Sequence, residues 1–200
     1  MAADPVSVRA ISRHAVQEEL ARVAFNQFCL TGFDQVTFAD LAGATGVSRS
    51  TFLRYFANKE DVVLFVFDPI GDIIVEALNT RPALGEDWLA LRRAFDPVTT
   101  FLTRDADEVI RSLDLILSTP ALNARFREKQ FDWRPNIIGA LLYQNDPGRA
   151  APSIAATIRV AAALECFSAA LTAWRHSKGR KDLATLLDRA FATLTVPGTS

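Results

Sequence analysis

The chain is predicted to be all-α, with a three-helix module over residues 9–58 followed by a larger helical domain over residues 59–196. Three observations predict this. Apolar side chains recur at helical spacing through most of the 200 residues. Ser, Thr, Asn or Asp stands where such runs begin, as N-caps do. Gly, alone or with Pro, stands where they end. Half of the residues are hydrophobic, which is ample for a packed core at this length.

The first eight residues carry no such pattern and are read as disordered. From Arg9 to Thr31, Val16, Leu20, Val23, Ala24 and Phe28 keep to one face of a helix, and Gly32 is its C-cap. The next stretch, Thr37 to Asp61, organises the rest. Thr37 and Asp40 have capping-box spacing. Leu41 and Ala42 give that short helix an apolar face. Gly46 supplies a sharp turn, with Val47 tucked behind it. Ser48 caps a second helix that turns Phe52, Tyr55 and Phe56 inward or sideways and leaves Ser48, Arg49, Ser50, Thr51 and Arg54 outward. Asn58 caps a third helix that opens with Lys59.

A helix pair with a Gly-containing turn and polar residues at the start of its second helix has the design of a DNA-reading helix-turn-helix. The same spacing also occurs in ordinary helical corners. A net charge of −1 leaves no room for bulk attraction to nucleic acid, so any affinity must be local. Between residues 9 and 59 there are six basic and four acidic side chains, and Arg49, Arg54 and Lys59 concentrate where the second helix begins and ends. Arg9, Arg13 and His14, at the module's edge, are read as solvated in preference to phosphate-binding.

The residues Phe28, Gly32-Phe33, Thr37, Leu41-Ala42, Gly46-Val47-Ser48, Thr51-Phe52, Tyr55-Phe56 and Asn58-Lys59-Glu60 resemble the TetR family of bacterial transcriptional regulators, over about residues 13–62. The resemblance implies that Ser48 to Tyr55 lies in the major groove. Arg49 and Ser50 are then the base readers, Arg49 through a guanine edge. Thr37, Thr51, Tyr55 and Lys59 match phosphate-holding positions. Ser48 and Arg54 belong to the same surface, Arg54 to backbone or base. Leu53 departs from the family, which most often has an aromatic there. It meets a thymine methyl or simply packs.

Beyond Lys59 runs a long apolar helix, which Pro69 should kink or break near Phe65 to Asp68. Arg81 to Gly85 is a loop. Residues 86–144 read as three helices: Asp87 to Thr103 interrupted at Pro97, Asp107 to Ser118, and one from Pro120 that Pro135 should bend. Asn145 to Gly148 is a turn. Ser153 caps an Ala-rich helix to about His176, and Asp182 caps the last helix, to Leu194. Val196 to Ser200 is a tail. The family resemblance makes this domain a ligand-binding and dimerisation domain. The expected pocket residues are Trp88, Arg92, Phe101, Leu113, Phe131, Arg134, Phe167 and Trp174, around an apolar or amphiphilic effector. Aromatics at this spacing equally fill a core. The expected dimer interface is Ile158, Leu171, Leu183, Leu187 and Phe191, because a helix apolar nearly all round must be covered on several sides.

An enzyme is not expected. The only histidines are His14 and His176, and no HExxH, CxxC, GxSxG or phosphate-cradling Gly loop occurs. No metal site or cofactor is expected. Cys29 and Cys166 read as buried thiols of a reducing cytosol. No run of about 18 uncharged apolar residues is present, and the N-terminus lacks a signal-peptide core, so a cytoplasmic protein without membrane contact is expected. The expected partners are double-stranded operator DNA, a small-molecule effector and a second copy of the chain. The function expected is a repressor released from a near-palindromic operator by its effector. The alternative is a helical protein-interaction module without sequence-specific DNA binding.

Overall fold

The structure is a computed structural model that describes residues 8–80, 87–145 and 153–194, with side chains at 12–80, 87–143 and 153–194. The expected N-terminal disorder, the loop at Arg81 to Gly85, most of the turn ending at Gly148 and the tail from Val196 lie outside the described residues. The rest is helical. The chain divides into two compact units, Met1–Val66 and Phe67–Ser200.

The first unit contains α1 (Val8–Thr31), α2 (Phe38–Thr45), α3 (Arg49–Leu53) and α4 (Lys59–Leu64). Helix α1 packs against α2 and α4 through Leu20, Ala21, Ala24, Phe25 and Phe28, all buried. Val16, expected on that face, is 43% exposed. It stands one turn before the first buried residue of α1. Cys29, expected buried, is exposed, at the rim of the buried face of α1, one residue beyond Phe28. Gly32 closes α1 at φ 94, its N–H donating to the Phe28 carbonyl at 2.9 Å. The predicted boundary at 58/59 moves to 66/67. Helix α4 buries Val62, Val63 and Leu64 and packs on α1, so it belongs with the module.

A 3-10 turn at Phe65–Phe67 stands where Pro69 was expected to break the helix, and α5 (Ile70–Thr80) resumes beyond it. The second unit adds α6 (Asp87–Ala94), α7 (Asp96–Leu102), α8 (Ala106–Ser118), α9 (Pro120–Asn145), α10 (Ile154–His176) and α11 (Leu183–Ala192). The expected helix from Asp87 to Thr103 is split at Phe95, with Pro97 in the first turn of its second half. This is where a missing N–H is tolerated. Pro135 sits inside α9 without ending it. Counting α4–α5 and α6–α7 as interrupted helices, the described residues hold nine.

Gly71 explains how close α5 comes to α9. A Cβ built there would lie 2.6 Å from the Trp133 ring, so only glycine admits the indole. Helix α10 packs on α11, α9, α6 and α8. It is long and apolar enough to cross a membrane by composition, at mean hydropathy 1.6, although Arg159, Glu165 and Arg175 interrupt its apolar run. Its setting is that of a core helix. It buries Val160, Leu164, Phe167, Leu171 and Trp174, and its Arg159 and Arg175 pair with Asp87 and Asp114 at 2.6 and 2.5 Å. The Cys166 thiol donates to the Ala190 carbonyl at 3.5 Å. Burial, helped by Glu165, pushes its pKa up.

Candidate functional site

The turn and caps of the first unit determine what faces out. Thr37 and Asp40 form the reciprocal capping box: the Asp40 amide donates to Thr37 Oγ1 at 3.3 Å, and the Thr37 amide to Asp40 Oδ2 at 2.8 Å. The Thr37 hydroxyl also donates to Asp40 Oδ2, at 2.7 Å. These bonds hold the Asp40 carboxyl below the usual carboxylate range, the Thr37 hydroxyl most of all. Gly46 takes φ 70, and its N–H reaches the Gly43 carbonyl while that of Val47 reaches Ala42. Ser48 Oγ accepts the Thr51 amide at 3.1 Å and starts α3.

Helix α3 has five residues and one fully buried side chain, Phe52, which lies 5.5 Å from Phe56 and 6.1 Å from Phe38 between ring centroids. With that anchor inside, Arg49, Ser50, Leu53 and Arg54 are exposed, Leu53 at 41%. Among the described residues, the guanidinium groups of Arg49 and Arg54 make no hydrogen bond or ion pair. They are positive, solvated and free to take an acceptor. Ser50 and Thr51 share the Ser48 hydroxyl, at 3.0 and 2.9 Å. Tyr55 is half-buried under Arg13, whose guanidinium carbon lies 5.6 Å from the ring centroid.

Two expected phosphate contacts are otherwise engaged. The single hydroxyl proton of Thr37 is committed to Asp40. Lys59 turns inward: its Nζ donates to the carbonyls of Phe33 and Val36 at 3.0 and 2.9 Å and lies 4.8 Å from the Phe33 ring centroid. Two of its three donors therefore tie the loop between α1 and α2. Arg13, read from the sequence as solvated, and Gln17, which the sequence does not single out, both reach the residues that follow α3. Arg13 Nη2 donates to the Arg54 carbonyl at 3.1 Å, and Gln17 Nε2 to the Tyr55 carbonyl at 3.2 Å. Their four-residue spacing on α1 was the available signal.

Among the described residues, the expected pocket residues of the second unit divide between packed and open positions. Phe167 and Trp174 are fully buried. Phe167 stacks on Phe95 at 5.1 Å, and Trp88 on Phe191 at 4.6 Å. These rings fill the core, because α6, α10 and α11 close upon them. Arg92 directs three of its five donors to Asp188, Asp96 and the Ala184 carbonyl. Phe131 is 62% exposed, with Arg134 stacked 5.1 Å away. Among the described residues, Phe101 and Leu113 line openings. Phe101 borders a groove of about 660 Å³ with Ile73, Ala77 and Arg104. Leu113 borders a cavity of about 70 Å³ with Phe126, Gln130, Ser168 and Leu171.

The expected dimer residues divide likewise. Leu171, Leu183, Leu187 and Phe191 are at most 3% exposed within the single chain, since α11 lays its apolar stripe on α10 of its own chain. Ile158, 62% exposed, remains available. Leu194, read as part of the α11 stripe, is 53% exposed.

A capped helix-turn-helix with the guanidinium groups of Arg49 and Arg54 free on its outer row is the arrangement of a DNA-binding regulator. Family comparison agrees with that class. The model described as bacterial regulatory proteins, tetR family, matches residues 20–66, and that of the MftR C-terminal domain matches residues 86–197. The chain belongs to the TetR family, with an MftR-type C-terminal domain. It is 27% identical over 176 residues to MftR of Mycobacterium tuberculosis, described as a mycofactocin biosynthesis transcriptional regulator, covering 82% of this chain and 80% of that one. It is 31% identical over 119 residues to the HTH-type transcriptional regulator TcmR of Streptomyces glaucescens, over 55% of this chain and about half (51%) of that one. The FadR repressor of Thermus thermophilus, solved with lauroyl-CoA, shares the fold at TM-score 0.57 and 20% identity, over 92% of this chain and 98% of that one.

Proposed function

We propose that this protein is a repressor that holds a near-palindromic operator as a homodimer and releases it when a small apolar or amphiphilic molecule binds the second unit. The observation that carries this reading is the outward row Arg49, Ser50, Leu53 and Arg54 on a helix anchored by Phe52. Arg49 has the fork that pairs with guanine O6 and N7, and Leu53 offers a methyl surface to thymine. The protein works in the cytoplasm, where a bacterial operator lies.

Helix α10 supports the dimer. Ile154 and Ile158 are 82% and 62% exposed on successive turns, and Glu165 and Ala169 continue the same face. A helix covered by its own chain on one side and apolar for two turns on the other suits a two-fold partner. Such a dimer reads two half-sites about 34–36 Å apart or a multiple of it.

The cavity between α8, α9 and α10 supports the effector. Leu113, Leu117, Leu171 and Phe126 wall its apolar side, Asn123, Arg127, Glu165, Ser168 and Thr172 its polar side, and Gln130, 5% exposed, turns a primary amide to it whose nitrogen has no partner. At about 70 Å³ it holds a polar head group, while the chain of an amphiphile needs the larger volumes, about 300–1,000 Å³, that ligands of that size fill. The lauroyl-CoA of the Thermus FadR, an apolar chain with a polar head, is of the proposed class. An effector acts only by preferring one of two conformations of the regulator.

Selection of duplexes from a random pool by the full-length protein tests the reading. A two-fold symmetric consensus is expected. Arg49→Ala should cost about 1–3 kcal/mol on it and relax preference at one base. Equal loss on every sequence makes Arg49 a phosphate contact, and no consensus at all favours a protein-interaction module.

A further inference from the structure

We propose that Arg13 and Gln17, on the second and third turns of α1, are positioning residues for the reading helix. They hold the C-terminal end of α3 and so set the direction in which Arg49, Ser50, Leu53 and Arg54 point. The proposal rests on α3 being the element that reads DNA.

A helix of five residues has no cooperative stability of its own, since isolated helices below about 12–15 residues are marginal in water. Its pose is therefore whatever its attachments impose. The start of α3 is fixed by the Gly46 turn and the Ser48 cap, and its inner face by Phe52. The last carbonyls of any helix have no partner within it. In α3 the Thr51 and Phe52 carbonyls are met by the amides of Arg54, Tyr55 and Phe56, and the carbonyls of Arg54 and Tyr55, the two residues that follow the helix, are met from α1. Arg13 donates to the Arg54 carbonyl at 3.1 Å and Gln17 to the Tyr55 carbonyl at 3.2 Å. The Arg13 guanidinium also lies 5.6 Å from the Tyr55 ring centroid, within cation–π range.

One helical turn separates the two donors, so both project from the same side of α1. That turn of α1 is held from another side as well, where His14 lies 5.5 Å from Phe65 between ring centroids. Arg13 and Gln17 both precede residue 20, where the match to the tetR-family model begins, so the shared motif does not specify them. Base pairing by a side-chain fork demands orientation, whereas phosphate contacts tolerate more movement. Loosening the end of α3 should therefore cost sequence discrimination first.

Full-length Gln17→Leu, Arg13→Lys and Arg13→Met are compared with the unmodified protein in a salt series. The duplexes are the one selected from the random pool and a scrambled version of it. Gln17→Leu and Arg13→Lys are each expected to lose about tenfold on the selected duplex. Scrambled-duplex affinity, the slope of log K against log salt, and the melting midpoint stay unchanged. In the free protein, hydrogen exchange at the Tyr55 and Phe56 amides, which bond the Phe52 carbonyl, should accelerate in both variants. The proposal fails for Arg13 if Arg13→Lys behaves as the unmodified protein, while Arg13→Met weakens both duplexes alike and flattens the slope by about 0.9. That pattern marks a phosphate contact. Unchanged exchange and affinity in Gln17→Leu removes Gln17. If the unmodified protein selects no duplex, the DNA reading fails, and the exchange result alone decides whether these residues hold α3.

Discussion

In the first unit, polar side chains mark the ends of helices. Thr37 and Asp40 open α2, Ser48 opens α3 and Asn58 opens α4. In the second unit, charged groups more often join helices distant in sequence: Arg92 with Asp188, Arg159 with Asp87, Arg175 with Asp114 and Lys129 with Asp68. A cap acts within a few residues and leaves a readable spacing. A cross-helix pair depends on which helices meet, and that is decided by packing. The first kind of construction fixes a small surface with short-range rules, and the second holds together a larger core whose inner and outer faces look alike in sequence.

Three substitutions sharpen that contrast. Leu187→Glu puts an unpaired charge at a fully buried position and should cost more than about 3 kcal/mol, seen as loss of cooperative urea unfolding. Ile158→Glu, on the exposed face of α10, should change stability by less than about 0.5 kcal/mol while sedimentation shows a monomer. A dimer that survives Ile158→Glu puts the interface elsewhere. In the first unit, Ser48→Ala removes the α3 cap and should cost about 1 kcal/mol, measured by thermal unfolding. An unaltered midpoint would mean that water replaces the hydroxyl at no loss.

The smallest effect is one of pH. The Asp40 carboxyl is held below its ordinary value by the Thr37 hydroxyl and amide. Its contribution is therefore fully present above the unfolded carboxylate range and is lost as pH falls through the lowered folded value. Hydrogen exchange at the α2 start should rise on acidification, and Asp40→Asn should remove that dependence. The same acid response in Asp40→Asn would assign it to another carboxylate.

The contrast also explains what was legible in the sequence. The capping box, the Gly46 turn, the Ser48 and Asn58 caps and the break before Pro69 each depend on residues a few positions apart, and each stands where the spacing put it. Lys59 escaped because its partners, the Phe33 and Val36 carbonyls, lie 26 and 23 residues away. Trp88, Phe167 and Trp174 escaped for a related reason. Helical spacing shows that a ring faces inward, and only the approach of α6 to α10 and α11 determines whether it meets another ring or empty space. Leu183 and Leu187 face the same ambiguity, since an apolar stripe does not say whose helix covers it.

The two-ring anchoring of α3 has a consequence for how such a regulator diverges. Phe52 and Phe56 are buried, and Ser48 and Gly46 shape the entry. Positions 49, 50, 53 and 54 therefore contribute little to the fold. Replacing them should move stability by no more than about 0.5 kcal/mol each. A duplicated gene can thus rewrite its DNA target one residue at a time while every intermediate still folds, and the scaffold and the address it reads can change on separate clocks.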